Sequence, residues 1–414
     1  MGVQDAWGAW LAAARRELER SRQHPAAEFP HFSQDGRWRL LDVRSTSRWD
    51  GEVYEHGNWT AGFWFGVMWL LAAGERNDEA AAVAGERLGW LLPRASDTTT
   101  HDLGFLFYPS VALGRLLGFV PNDAEQAAIE AAGTLARRFN PRGDYLQAFG
   151  PIGDPRSAGT STVDTMMNLP LLWWAAGHGG DPNLFDIARR HARTTARLFL
   201  RLDGSTYHLN HFDPLSGAIL HRGTFQGASD RSCWSRGQAW VICGFAWSFA
   251  TAGEPEFLTV ADRTADWFWR TLGEGAVPPW DFADDSPEAV KDASAAAIAA
   301  LGAFILAQVH PDSGRRHRYA ELAAQTLDKL TASCLNHDPA QDGILLHSCY
   351  SKPHGLGLDG ATGWGDFFLG LTLATVTGTL PLATVLGRPA DEDGAEGLRQ
   401  AHPEVGGHHA DSHD

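Results

Sequence analysis

The chain has 414 residues, 44% of them hydrophobic and 20% charged, and a formal net charge of −16. That composition suits a large globular core and excludes a disordered chain. The acidic balance excludes nucleic acid as the main partner, because phosphate contacts need a basic field, and an anionic ligand would need local cations to hold it.

The first segment, MGVQDAWGAWLAAARRELERSRQ, has no basic stretch followed by an apolar one. It reads as an amphipathic helix over about residues 5–22, not as a secretion signal. Two helix types then alternate. AGFWFGVMWLLAAG (61–74) is apolar on every face, whereas DEAAAVAGERLGWLL (78–92) carries a charged face. The same pair recurs at 104–118 and 123–139, at 164–177 and 183–200, at 237–253 and 255–272, and at 293–308 and 315–335. A final apolar segment follows at 365–378. A helix that is apolar all round must be surrounded, and one with a charged face lies outside. Five of the six apolar segments end in glycine (Gly74, Gly118, Gly177, Gly253, Gly378), the residue suited to a left-handed helix stop. An inner helix, a short turn and an outer helix, repeated, predict an all-α fold, an (α/α)6 toroid built as a barrel of six helical hairpins. An open helical solenoid is the alternative.

Short strands near 201–212 read as loop decoration, and a single domain is expected to span residues 1–385. Residues 386–414 are rich in Gly, Asp and His and read as a disordered tail, whose His402, His408, His409 and His413 are solvated and not a metal site. No stretch is long and apolar enough to span a bilayer. Cys233, Cys243, Cys334 and Cys349 show neither CxxC pairing nor zinc-ligand spacing, so a reduced, cytoplasmic protein is expected.

Unusual polar residues gather where the inner helices begin. His56, Asn58 and Trp59 precede the first, His101 and Asp102 the second, and Asp164 opens the third. Ser235, Arg236 and Gln238 enter the fourth, Asp292 precedes the fifth and Asp366 enters the sixth. If the inner helices run parallel, all of these meet at one mouth, where helix N-termini also favour anions. Each Asp taken singly reads equally well as a helix cap. Among 17 tryptophans, Trp59, Trp64, Trp234, Trp240, Trp280 and Trp364 stand beside these entries as platforms for sugar rings. Trp173, Trp174, Trp247 and Trp267 read as core. HExxH, Walker A, GxGxxG and GxSxG signatures are absent.

The segments HGNWTAGFWFGVMWL (56–70), HDLGFLF (101–107), TSTVDTMMNLPLLWWA (160–175) and FQGASDRSCWSRGQAW (225–240) resemble the unsaturated glucuronyl hydrolases, glycoside hydrolase family 88. VPPWDF (277–282), KDASAAAIAA (291–300) and WGDFFL (364–369) continue the resemblance in order. The resemblance implies an (α/α)6 barrel acting on an oligosaccharide left by a polysaccharide lyase, whose terminal uronic acid carries a C4=C5 double bond. Protonation at C4 makes an oxocarbenium-like centre at C5, water adds there, and the hemiketal opens to release the neighbouring sugar. By motif position it implies Asp164 as general acid and base and Asp102 as its supporting carboxylate, kept ionised or hydrogen-bonded. Two carboxylates in one dry pocket should have their pKa values pushed apart. Trp59, His101, His208, Gln226, Arg236 and Trp240 would bind the sugar, with His211 close enough in sequence to replace His208.

The resemblance implies no cofactor or metal, and a monomer or homodimer whose partner is the unsaturated oligosaccharide. Phe367 stands where the family commonly has Tyr, and Gly370 lies where an acidic residue is common. Ser348, Ser351 and Lys352 stand in the segment where relatives read sulfate, in a spacing that does not align with it. The leaving sugar and its sulfation therefore stay open. The alternatives are an unsaturated rhamnogalacturonyl hydrolase on pectin fragments, a toroidal sugar epimerase or isomerase using histidine bases, and a non-catalytic sugar-binding protein.

Overall fold

Six helices form from the apolar segments, at Ala61–Glu75, Leu103–Phe107 continuing to Leu113–Leu116, Leu169–Gly177, Ser235–Ala252, Ala293–Val309 and Gly363–Val376. This computed structural model describes residues 2–275 and 277–388; the tail histidines and the tail beyond 388 lie outside the described residues. The six outer helices are Val3–Ser21, Asp78–Leu91, Asn122–Ala136, Asn183–Leu198, Pro255–Leu272 and Ser313–Ser333. Every residue from Ala61 to Ala72 is buried, as an all-apolar helix requires. On Asn183–Leu198 burial instead follows Leu184, Ile187, Ala188 and His191, the spacing of a single helical stripe.

Each inner helix packs on the next, and Gly363–Val376 packs back against Ala61–Glu75. The ring therefore closes, which gives the toroid and rules out the open solenoid. Outer helix Val3–Ser21 belongs to both ends of the ring, packing on the first inner helix and on the last. Trp10 is fully buried there and donates from Nε1 to the Asp366 carbonyl at 3.0 Å.

One inner helix is interrupted at a proline, which removes a backbone donor, and another begins late on a first-turn proline. Pro109 sits in a π-helical turn over Tyr108–Ala112, and the third helix starts only at Leu169, with Pro170 in its first turn and a 3-10 turn at Val163–Met167 before it. Glycine stops also differ from expectation at two ends, and the third inner helix takes Gly177 as its last residue without positive φ. Gly118, Gly253 and Gly378 have positive φ, but the first inner helix runs past Gly74 and stops at Arg76 with φ +54°. Gly74 serves packing instead, since a Cβ there would lie 2.7 Å from Trp7.

β-structure is more extensive than the sequence reading allowed. An antiparallel hairpin joins Glu28–Gln34 to Arg37–Asp42 through Asp35–Gly36, both at positive φ. Asp-Gly is the residue pair such a turn demands, and it was the legible signal. A three-stranded antiparallel sheet orders Thr160–Thr162, Leu209–Phe212 and Ile219–Gly223. It ties the approach to the third inner helix to the chain around His208. No helix among the described residues is long and apolar enough to cross a membrane.

Candidate active site

The N-terminal ends of the inner helices surround a pocket of about 460 Å³, within the range of small-molecule sites. Trp59, His101, Asp102, Asp164, His208, Gln226, Arg236 and Trp240 all line it. So do His56, Phe105, Phe149, Thr162, Phe225, Trp234 and Tyr350. Phe149, Phe225 and Tyr350 lie in loops without periodicity, so no helical pattern marked them as pocket residues.

Asp102 and Asp164 flank the His101 ring. Nε2 of His101 is 3.5 Å from Asp102 Oδ1 and 3.2 Å from Asp164 Oδ2, and Nδ1 is 2.8 Å from the Ala148 carbonyl. Asp102 accepts the Thr100 hydroxyl at 2.9 Å and the Asn168 side-chain amide at 3.5 Å. Asp164 keeps Oδ1 without a partner. Neither carboxylate caps its helix. The two pKa values do separate, but with the opposite sign to the expected roles. Burial raises the Asp102 carboxyl, and the Asp164 charge adds to this against the pull of His101. Burial also acts to raise Asp164, yet the hydrogen bond and charge of His101 outweigh it and hold that carboxyl below the usual range. The His101 pKa is raised: burial lowers it, and the two carboxylates more than compensate. One imidazole and two carboxylates could also offer ligand atoms to a cation, as these lie within 4.8 Å of one another. Nε2 is already turned to both carboxylates, where a proton serves the same purpose.

His208 is fixed by its neighbours. Its Nδ1 accepts from the backbone N–H of Phe225 at 3.2 Å and of Gln226 at 3.4 Å. The proton must therefore sit on Nε2, leaving a neutral donor, and burial holds its pKa down to about 4. The ring packs on Trp234 at 4.6 Å. His211 is not its substitute, for it stacks on His221 at 3.9 Å and lies off the pocket.

Arg236 lies between Trp234 and Trp364 and spends much of its guanidinium on the protein. It donates to Asp292 at 2.6 Å, to the Tyr350 carbonyl at 2.6 Å and to the Cys349 carbonyl. Gln226 donates to the same Tyr350 carbonyl at 3.1 Å. Trp59 stacks on the buried Trp364 at 4.9 Å, while Trp240 packs against Phe105 and Phe368.

Several residues expected at the mouth do other work. Asn58 Oδ1 accepts from the N–H groups of Thr60 and Ala61 at the start of the first inner helix. Ser235 donates to the Pro279 carbonyl. Gln238 is buried and donates to Gly204 and Thr264 carbonyls. Asp366 turns away from the pocket and accepts from the N–H groups of Ile344 and Leu345. Trp64 packs beneath Arg87, and Trp280 donates to Asp284 at 2.8 Å; neither reaches the pocket. Phe367 lines a separate apolar cavity, and Gly370 has no room for any side chain because a Cβ would lie 2.2 Å from Trp10. Ser348 is fully buried, and Ser351 pairs with His354 at 2.7 Å.

No protein-family model matches the chain. It is 33% identical over 371 residues, 88% of this chain and 94% of the relative, to an unsaturated glucuronyl hydrolase from Bacillus sp. (strain GL1). It is 31% identical over 322 residues to an unsaturated chondroitin disaccharide hydrolase from Streptococcus pyogenes serotype M1, covering 76% of this chain and 80% of that one. Among solved structures, the unsaturated glucuronyl hydrolase of Bacillus sp. GL1, described as responsible for the degradation of glycosaminoglycan, superposes with a TM-score of 0.82. That match is 31% identical and covers 91% of this chain and 97% of the other.

Proposed function

The chain belongs to the unsaturated glucuronyl hydrolases and is a glycoside hydrolase, and we propose that it releases the terminal 4,5-unsaturated uronic acid from lyase-generated oligosaccharides of the glycosaminoglycan type. The observation that carries this reading is the pair of carboxylates, Asp102 and Asp164, that flank His101 in a pocket walled by aromatic rings.

In this mechanism the uronate stacks on the tryptophans, with the His208 Nε2–H, Gln226 and Arg236 donating to its polar edge. The Asp164 carboxyl protonates C4, and the π electrons of C4=C5 form the new C–H bond. Positive charge develops across C5 and the ring oxygen, where Asp102 and Asp164 steady it. Water adds at C5 and gives its proton to the Asp164 carboxylate. The hemiketal then opens and the leaving sugar departs. No carboxylate attacks the anomeric carbon, in contrast to ordinary retaining glycosidases.

The partner is the sugar, bound by a monomer or homodimer, and we place the reaction in the cytoplasm, a reading that the four free, buried cysteines favour. The test is a panel of unsaturated glucuronyl and galacturonyl disaccharides, followed by loss of the ultraviolet absorbance of the conjugated double bond. Consumption by wild type but not by Asp164→Asn is expected. A galacturonyl–rhamnose preference would move the assignment to pectin fragments, and an unchanged signal on every substrate would overturn hydration.

A further inference from the structure

His101 was expected to touch the sugar, but the geometry gives it a different task. Its Nδ1 lies 2.8 Å from the Ala148 carbonyl, which also accepts from Arg138 Nη2 at 3.0 Å. A carbonyl oxygen can only accept, so Nδ1 must carry a hydrogen in every protonation state. The other nitrogen, Nε2, faces Asp164 Oδ2 at 3.2 Å, Asp102 Oδ1 at 3.5 Å and the Thr162 hydroxyl at 3.4 Å. Were the ring neutral and both acids ionised, its lone pair would point at two anionic oxygens in a buried site. One proton has to reside among the three groups, and only the imidazole lies between the two carboxylates.

We propose that His101 is a positioning residue that stores the proton Asp164 delivers to the substrate. This rests on the hydration reading above. In the free enzyme the imidazolium donates from Nε2 to ionised Asp164. When the substrate displaces water, the Nε2 proton moves to Asp164 and the ring becomes the neutral Nδ1–H form. The O–H bond then breaks as C4 takes the proton. The attacking water later returns one proton to Asp164 and from there to Nε2. Nothing is oxidised or reduced, and the trio ends as it began. Asp164 Oδ1 is buried without a partner while the side chain as a whole is 19% exposed, and rotation about Cβ–Cγ exchanges the two oxygens.

The charged and titratable groups around the ring come from several elements. Asp102 lies on its own segment, Asp164 on the turn before the third inner helix, and Arg138 beyond the end of an outer helix. His56 and His191 interact with it electrostatically from the first helix entry and from Asn183–Leu198. Both of those histidines are held neutral by burial, so the two carboxylates and Arg138 set the local field. The raised His101 pKa agrees with the geometric argument.

The experiment pairs kinetics with histidine NMR on the full chain. In His101→Gln, kcat is expected to fall about 10²-fold with KM changed by less than about threefold. The alkaline limb of the kcat–pH profile should move toward acid, because a carboxyl must then hold the proton unaided. A uniform loss with the alkaline limb unmoved, or a rise in KM alone, would overturn the proposal. Should His101→Gln fail to fold, ¹⁵N spectra of wild type decide the matter. Both His101 ring nitrogens protonated at neutral pH support it, and a neutral ring there refutes it. If wild type consumes no unsaturated substrate, the hydration reading fails, and the spectra still report the protonation of His101.

Discussion

Arg236 and Asp292 form an ion pair sealed from solvent, with Nη1 at 2.6 Å from Oδ2 and side chains 1% and 0% exposed. The pair joins the fourth inner helix to the entry of the fifth. The same guanidinium holds the Cys349 and Tyr350 carbonyls, so it fixes the pocket wall that it lines.

Removing one partner of such a pair leaves a buried charge uncompensated. Arg236→Ala is therefore expected to cost about 3–5 kcal/mol of stability. Arg236→Ala with Asp292→Ala should lose less than the sum of the single changes, because the stranded carboxylate is gone. Denaturant unfolding of the four proteins measures this, and simple additivity would show that the pair carries no coupling.

His208 and His211 separate by position, since His208 lines the pocket and His211 does not. His208→Ala removes the Nε2–H donor from the pocket and should raise KM for the unsaturated disaccharide about tenfold, the scale of one lost hydrogen bond of roughly 1.4 kcal/mol. His211→Ala removes only a ring stacked on His221 and should leave kcat and KM near wild type. Steady-state kinetics on both variants checks the assignment.

Gly104 follows Asp102 on the second inner helix, and a Cβ there would lie 2.4 Å from Asn168 Cα and 2.5 Å from its carbonyl oxygen. Backbone has to move to make that room. Since Asn168 also contacts Asp102 and accepts from the Phe105 N–H, Gly104→Ala should lower both Tm and kcat. Unchanged kcat in a folded variant would mean that the helix approach does not set the position of Asp102.

Acid should unfold the protein from below about pH 6.5, the ordinary imidazole pKa. Burial depresses His31 and His191 to about 3 and His56 and His208 to about 4. Between those values and 6.5 the unfolded chain binds more protons, so their contribution is complete above 6.5 and is lost as pH falls toward 4. Buried Glu17 and Asp366 act in the opposite sense, because burial raises their pKa values and lets the folded chain take up protons as pH falls. His191 accepts the Leu146 N–H at Nδ1, a bond that protonation destroys. Melting temperature followed from pH 7.5 to 5 should fall, and the fall should be shallower in His191→Gln.

Much of this protein was written in one dimension. Helix burial is set by periodicity, so AGFWFGVMWLLAAG had to lie inside and DEAAAVAGERLGWLL outside, and their alternation predicted the toroid while leaving ring closure to the structure. The motif-bearing residues Asp102, Asp164, Arg236 and Trp240 were legible because helix entries concentrate at one mouth. The Asp35–Gly36 hairpin went unread, because the strand before it carries no alternating burial to announce it.

What remained for tertiary structure was direction. Asp366 and Gln238 stand at helix entries like the pocket residues, yet one turns to the backbone of Ile344 and the other to Gly204 and Thr264. Position along a helix does not say which neighbour a side chain will meet. The choice of His208 over His211 came from their neighbours, the Phe225 and Gln226 N–H groups for one and the His221 ring for the other, and Phe149, Phe225 and Tyr350 reached the pocket through loops. The protonation pattern of Asp102, His101 and Asp164 depends on a carbonyl at Ala148, 47 residues from His101 in sequence. Electrostatics acts through distance in space, and only the closed ring sets those distances.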